Sequence, residues 1–298
     1  MSTTRKKKIK VKWKNLFIFL CILFIFFFGM IKGTQAIISL FTKPNEKEIK
    51  VKKETKKDEF EEVKNLEYFN EQYKERYKSY KEKNPSMDLT QVIKNVNMNL
   101  DQTPYEYKIK AKNLNTEKIL VNKYYYLEED YVPDNLQTIN RKYALSNMRM
   151  VNVAKDAFES LSAAAQKEDL NIIAMSTYRS YTYQVNLYNR YKKQDGEAKA
   201  DTYSGRPGQS EHQTGLAVDV YNKEEDYTKF HKTKEFLWMK DHAHEYGFIL
   251  RFPEGKENET GYTYESWHYR YVGKDIATYI HDNNITLEEY YATKIKDW

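Results

Sequence analysis

Ser210-Glu211-His212-Gln213-Thr214-Gly215-Leu216-Ala217-Val218-Asp219-Val220 joins a turn-forming segment to an apolar run that carries one acid. The half from Gly215 to Val220 reads as a strand, continuous except for Asp219. A carboxylate in such a run is costly unless it is paired or bound to a metal. Two readings of Asp219 therefore stand: a structural acid that caps a loop, or a metal ligand. His212 lies seven residues upstream, after the turn formers Ser204-Gly205-Arg206-Pro207-Gly208. His268 lies in the last expected strand, three residues after Glu265. Two imidazoles and one carboxylate, with a water in the fourth position, make an open catalytic-type zinc site. A second carboxylate beside it is placed to be the general base that takes a proton from the water.

Strand geometry puts a condition on this reading. Residues three apart in a regular strand lie about 10 Å apart and point to opposite faces. Glu265 and His268 serve one centre only if the chain starts, bulges or turns between them, so irregular backbone is expected at Ser266-Trp267. His231, His242, His244 and His281 read instead as surface or satisfied core residues. His242 and His244 point about 200° apart on a helix and make a poor chelate.

Outward from this centre, helical and strand patterns alternate irregularly. Val151, Ala154, Phe158, Leu161 and Ala165 form a helical stripe, and Ile172–Met175 reads as a strand. Tyr181–Lys193 looks helical. Thr233–Tyr246 reads as a helix closed by Gly247. Phe248–Phe252 and Tyr262–Val272 read as strands, with a polar loop between them. Thr286 and Glu289 form a capping box that opens a last helix. The mixture lacks βαβ regularity, so the expected class is α+β. Upstream, Leu66, Phe69, Tyr73, Tyr77 and Tyr80 space a helix over 58–83, and Leu89 to Leu100 a second one. Residues 58–110 are thus expected as a helical stalk or cap, and 111–298 as the main domain.

The remaining N-terminal part has a different character. The chain of 298 residues has 49 Lys or Arg against 43 Asp or Glu, a formal charge of +6. Seven of the basic residues, and no acid, fall in residues 1–15; the remainder is nearly neutral. The excess therefore belongs to a tail, which removes most of the support for nucleic-acid binding. Leu16–Ile31 is free of charge, and an apolar stretch resumes at Ala36. With Trp13 and Lys32 reaching the interfaces, residues 16–38 are expected to form a transmembrane anchor whose basic flank is cytoplasmic. The competing reading is a signal peptide cleaved after Ala36. Either way the bulk of the chain is exported. Residues 39–57 form a lysine-rich linker suited to anionic head groups. The single cysteine, Cys21, excludes a disulfide framework and a cysteine-based zinc finger.

The motifs add a resemblance. Ser210 to Asp219 resembles the S-x-H-x-x-G-x-A-x-D signature of the VanY-like metallo D-alanyl-D-alanine carboxypeptidases, of the hedgehog/D-Ala-D-Ala peptidase fold. Tyr264-Glu265-Ser266-Trp267-His268 resembles the family's E-x-W-H segment, with Ser266 where many members carry proline. Ser176-Thr177-Tyr178-Arg179-Ser180 with Gln184 resembles its Y-R-S…Q segment, and Gly247–Pro253 is also similar. The likeness covers roughly 115–298. It implies an antiparallel sheet flanked by helices, and one zinc held by His212, Asp219 and His268. It further implies Glu265 as catalytic base, Arg179 holding substrate and stabilising the oxyanion, and Gln184 and Ser210 lining the cleft. The implied substrate is a peptidoglycan stem peptide that loses its C-terminal D-alanine. L,D-carboxypeptidase action on tetrapeptide stems, endopeptidase action and a catalytically silent wall-binding module share the fold. Arg206 and Arg251 are candidate forks for the substrate carboxylate, and Tyr203 and Trp267 candidate packing surfaces for the peptide.

Overall fold

The computed structural model describes residues 58–224 and 226–295, which belong to one compact unit. The expected basic tail, anchor and linker, residues 1–57, lie outside the described residues. Among the described residues no helix is long and apolar enough to cross a membrane.

The centre is a four-stranded antiparallel sheet of β1 (Ile173–Ser176), β2 (Ala217–Tyr221), β3 (Phe248–Leu250) and β4 (His268–Tyr271), in the order β1-β2-β4-β3. Strand periodicity sorts its side chains. Val218, Val220, Tyr269 and Phe248 join the main core on one face, beneath the helix Asn152–Gln166. That helix presents Ala154, Phe158, Leu161 and Ala165, all fully buried, and Phe158 meets Phe248 edge-on at 6.1 Å. The alternate positions Ala217, Asp219, His268 and Arg270 share the opposite face. Register makes Asp219 the partner of His268 and Ala217 the partner of Arg270. Directly paired residues have Cβ atoms about 4.5–5.5 Å apart, so the register alone brings Asp219 against His268.

The helices number α1 (Lys74–Lys83), α2 (Leu89–Asn97), α3 (Asn152–Gln166), α4 (Tyr181–Asp195), α5 (Lys234–His242), α6 (Lys274–Asn283) and α7 (Leu287–Lys294), apart from shorter turns. The α+β class expected from the sequence is observed. α6 and α7 build a second core around Ile249, Val272, Ile276, Leu287 and Tyr291. α1 and α2 pack about Phe60, Tyr77, Val92, Ile93 and Val96. They join the rest through Asn97 Nδ2, which donates to Ala292 O at 3.0 Å, and through a Lys94–Glu289 ion pair at 2.7 Å.

Three features depart from their sequence patterns. The continuous helix expected over 58–83 is α1 preceded by two single turns, Glu59–Glu62 and Glu71–Tyr73. Asp58 and Asn70 accept from Phe60 and Gln72 backbone N–H groups, so each side chain starts its own turn. The strand expected over 262–272 is only β4, and the chain turns at Ser266-Trp267 with His268 N bonded to Glu265 O at 3.3 Å. Thr286 Oγ1 caps α7 by accepting from Glu289 N, while the Glu289 carboxylate goes to Lys94 instead of closing the box.

Candidate metal centre and active-site cleft

The turn after α4 and the single turn Glu211–Thr214 carry His212 to the edge of β2. Gly215 ends that turn in the left-handed region at φ 71°. A Cβ there would sit 2.9 Å from Leu136 Cδ2 and 3.0 Å from Val151 Cγ2, so only glycine lets the turn close this tightly onto the strand. His212 Nδ1 bonds to Thr177 O at 2.7 Å, which turns Nε2 inward. Asp219 Oδ2 lies 3.3 Å from His212 Nε2, and Asp219 Oδ1 lies 2.9 Å from His268 Nδ1. The three side chains are buried, and one donor atom from each lies within 4.8 Å of the others.

The electrostatics suit a cation. Burial, reinforced by the Arg179 charge, pushes His212 down to about 4, so its imidazole is neutral and free to donate a lone pair. Burial alone would raise Asp219, yet the two imidazoles hold it well below the ordinary carboxylate range. Burial likewise opposes a charge on His268, but hydrogen bonds to Asp219 and Glu211 overturn this and raise it to about 9. The pocket attracts positive charge, and its two nitrogens and one oxygen are the donor set of an open zinc site. The residues therefore fit the metal.

The turn at Ser266-Trp267 returns Glu265 to the same centre. Its Oε2 lies 3.9 Å from His268 Nδ1, and burial pushes its carboxyl up to about 8. Arg179, at the N-terminal approach to α4, places Nη1 3.1 Å from Ser176 Oγ and 3.7 Å from Asp219 Oδ2. Its Nε is buried with no protein partner. A cleft of about 450 Å³ opens here, lined by Arg179, Ser210, His212, Asp219, Glu265 and His268. Tyr203 and Trp267 also line it, as do Tyr183, Arg190, Tyr191 and Tyr227, which sequence reasoning did not single out.

Gln184 is not among the lining residues. Its amide donates to Gly205 O at 2.7 Å and braces the loop that carries Ser210 from behind. The two arginines considered as carboxylate forks are also occupied elsewhere. Arg206 grips Asp201 with Nε and Nη2 at 3.0 and 2.8 Å and lies 4.3 Å over Tyr105. Arg251 is fully buried, bonded to Glu211 at 2.7 Å and to Glu288 at 2.8 and 2.5 Å. Glu211, Arg270 and Glu288 were not assigned from the sequence. Arg270 in Tyr269-Arg270-Tyr271-Val272 is a charge in an apolar strand, the same signal that Asp219 gives.

The family model "VanY: D-alanyl-D-alanine carboxypeptidase" matches residues 147–274. A putative carboxypeptidase, YodJ of Bacillus subtilis, is 40% identical over 191 residues, covering 61% of this chain and 70% of the relative. This chain belongs to the VanY carboxypeptidase family. A D-alanyl-D-alanine carboxypeptidase of Enterococcus faecium is another similar member, 31% identical over 215 residues, 64% of this chain and 67% of that one. The LdcB LD-carboxypeptidase, whose structure concerns peptidoglycan recognition, superposes with a TM-score of 0.58 at 38% identity, over 62% of this chain and 89% of that one. A vancomycin-resistance D,D-pentapeptidase VanY variant in complex with Zn(II) matches with a TM-score of 0.50 at 32% identity, over 58% and 97%. The VanY family thus includes a zinc-bound structure, in accord with the donor set of this cleft.

Proposed function

We propose that this chain is a zinc-dependent carboxypeptidase that removes the C-terminal D-alanine from peptidoglycan stem peptides. The observation that carries the reading is the convergence of His212, Asp219 and His268 within 4.8 Å, beside Glu265, on the wall of an open cleft. His212 Nε2, Asp219 and His268 Nδ1 would hold the ion. When bound, zinc supplies Lewis acidity, which polarises a carbonyl and brings the ionisation of water close to neutral pH.

The remaining roles belong to the chain. Glu265 takes the proton of the attacking water and delivers it to the leaving amine of D-alanine. Burial that raises its carboxyl makes it a willing acceptor, and a cation beside it draws the proton affinity back toward neutrality. Arg179, with an unpaired Nε and Nη1 near Asp219, stabilises negative charge developing on the carbonyl oxygen. Ser210 offers a hydroxyl on the cleft wall, and Gln184 holds its loop in place. Tyr203, Tyr227 and Trp267 give the peptide apolar surface.

The basic residues 1–15 and the apolar run that follows support a membrane anchor at 16–38, N-terminus cytoplasmic and cleft outside, where wall peptides lie. The test uses full-length protein with tetrapeptide and pentapeptide muropeptides, with and without a chelator, read by mass spectrometry. Loss of one alanine mass from pentapeptide, abolished by chelator and restored by zinc, is the expected result. The 38% identity to an LD-carboxypeptidase is why the tetrapeptide is included, and cleavage confined to it moves the assignment to L,D action. No cleavage of either stem by zinc-loaded protein overturns the reading.

A further inference from the structure

Beside the cleft lies a second set of buried charges that the proposed reaction does not use. Glu211 immediately precedes the ligand candidate His212 and is buried on the sheet face that carries His268 and Arg270. Its Oε1 accepts from Arg251 Nε at 2.7 Å and from Arg270 Nη1 at 3.1 Å. Its Oε2 lies 3.4 Å from His268 Nε2, on the side of the ring away from Asp219. Each guanidinium is itself fixed. Arg251 spends its other two nitrogens on Glu288 of α7, at 2.8 and 2.5 Å, and Glu288 also accepts from Asn122 Nδ2 at 3.1 Å. Arg270 donates to Tyr271 O at 2.9 Å, Ile119 O at 2.6 Å and Glu117 O at 3.2 Å.

From this geometry we infer that Glu211 is a positioning residue for the metal centre, holding the proton of His268 on Nε2 so that Nδ1 faces the ion. The inference rests on the zinc reading above. The carboxylate receives donors on both oxygens, and its orientation is set by two arginines that cannot move without breaking other buried bonds. An imidazole has two nitrogens, and the hydrogen bond made by one decides which is free to bind a metal. With Nε2–H directed at Glu211, the lone pair of Nδ1 points where Asp219 and His212 Nε2 converge. A carboxylate behind a metal-bound imidazole also makes that ligand more basic and restricts its rotation. Arg251 also connects Glu211 to Glu288, so α7 shares the buried network without touching His268.

A purely structural role predicts something different: Glu211 would only balance Arg251 and Arg270, and losing it would cost stability alone. Two measurements separate the roles. The first needs no substitution. Nitrogen-15 NMR of histidine-labelled, zinc-loaded full-length protein should show His268 with a proton on Nε2 and metal on Nδ1. Metal on Nε2 and a proton on Nδ1 overturns the inference. The second compares Glu211→Gln with Glu288→Gln, using chelator competition for zinc and thermal melting. Glu211→Gln should weaken zinc binding by about 10–100-fold. Glu288→Gln, which breaks the same network one step farther away, should lower the melting temperature while zinc affinity falls by less than the roughly tenfold lower bound expected of Glu211→Gln. Unchanged zinc affinity in folded Glu211→Gln, or equal loss in both variants, overturns the inference. Wild-type protein that takes up no zinc removes the functional reading and this inference together, whereas zinc uptake with the wrong tautomer removes the inference alone.

Discussion

Two groups of buried charge sit side by side on one face of the sheet, and they are balanced in opposite ways. In the first, Glu211 and Glu288 face Arg251 and Arg270, and every carboxylate has a guanidinium partner at 2.5–3.1 Å. In the second, Asp219 and Glu265 face two imidazoles and the partly exposed Arg179, whose Nε has no protein partner. The first group is complete without any outside ion. The second has donors to spare, and they point into a cleft. Burying charge costs several kcal/mol per ion unless it is compensated. A compensating cation that is part of the chain makes a scaffold, whereas one that must come from solution makes a binding site.

Removing the outside cation should separate the two groups most clearly. Chelation should take turnover to background and leave the fold intact, because the arginine-balanced group needs no metal. Zinc should then restore it. Circular dichroism and turnover, read on the same sample, check both halves. Asp219→Ala should reproduce the loss of turnover and abolish the zinc rescue. Metal-free protein that unfolds outright would mean the two groups are not independent.

Next in size is Glu265→Gln. Removing the proton acceptor should lower kcat by about 10²–10⁴-fold, the usual contribution of general acid–base catalysis, with zinc content unchanged. Stoichiometry by atomic absorption beside steady-state kinetics decides it. Lost zinc would make Glu265 a ligand instead of a base.

The two groups also differed in how far the sequence revealed them. Asp219 stood out because an acid interrupts an apolar strand, and His268 because Glu265 lies three residues before it. The expected irregularity at Ser266-Trp267 followed from the same local geometry and is where the chain turns. Such signals are visible because their cost is local. The arginine-balanced group is not local: Arg251 is separated from Glu211 by 40 positions and from Glu288 by 37. Arg251 therefore read as a free fork for substrate, when Glu288 of α7 and Glu211 had already claimed it. The helix boundaries failed for a related reason. Asp58 and Asn70 cap their own short turns, and apolar spacing does not register such a competition. Leu66 and Phe69 nevertheless join the cluster their spacing predicted.

Stability gives the third contrast. Arg251→Met removes the cation shared by Glu211 and Glu288 and leaves both carboxylates buried. Breaking a buried pair from one side typically costs about 3–5 kcal/mol. A loss of this size should appear in urea melts of the metal-free protein as a lower midpoint with unchanged slope. A loss below about 1 kcal/mol would place this pair with exposed ones and erase the distinction between the two groups.

The smallest expected effect belongs to Arg206, and it tests the comparison from outside. Arg206 forms a third ionic group, with Asp201 and Glu197 at 2.8 Å, but its side chain is 32% exposed. Water screens such a cluster and its side chains pay entropy to hold it, so an exposed pair contributes about 0.2–1 kcal/mol. Its guanidinium is already forked onto Asp201, which leaves no matched pair of donors for a substrate carboxylate. Arg206→Gln should therefore shift the unfolding free energy by no more than about 1 kcal/mol and leave KM for the muropeptide within about twofold. A tenfold rise in KM without a change in kcat would instead mean that Arg206 exchanges Asp201 for substrate, and that burial, not pairing alone, separates a scaffold charge from a working one.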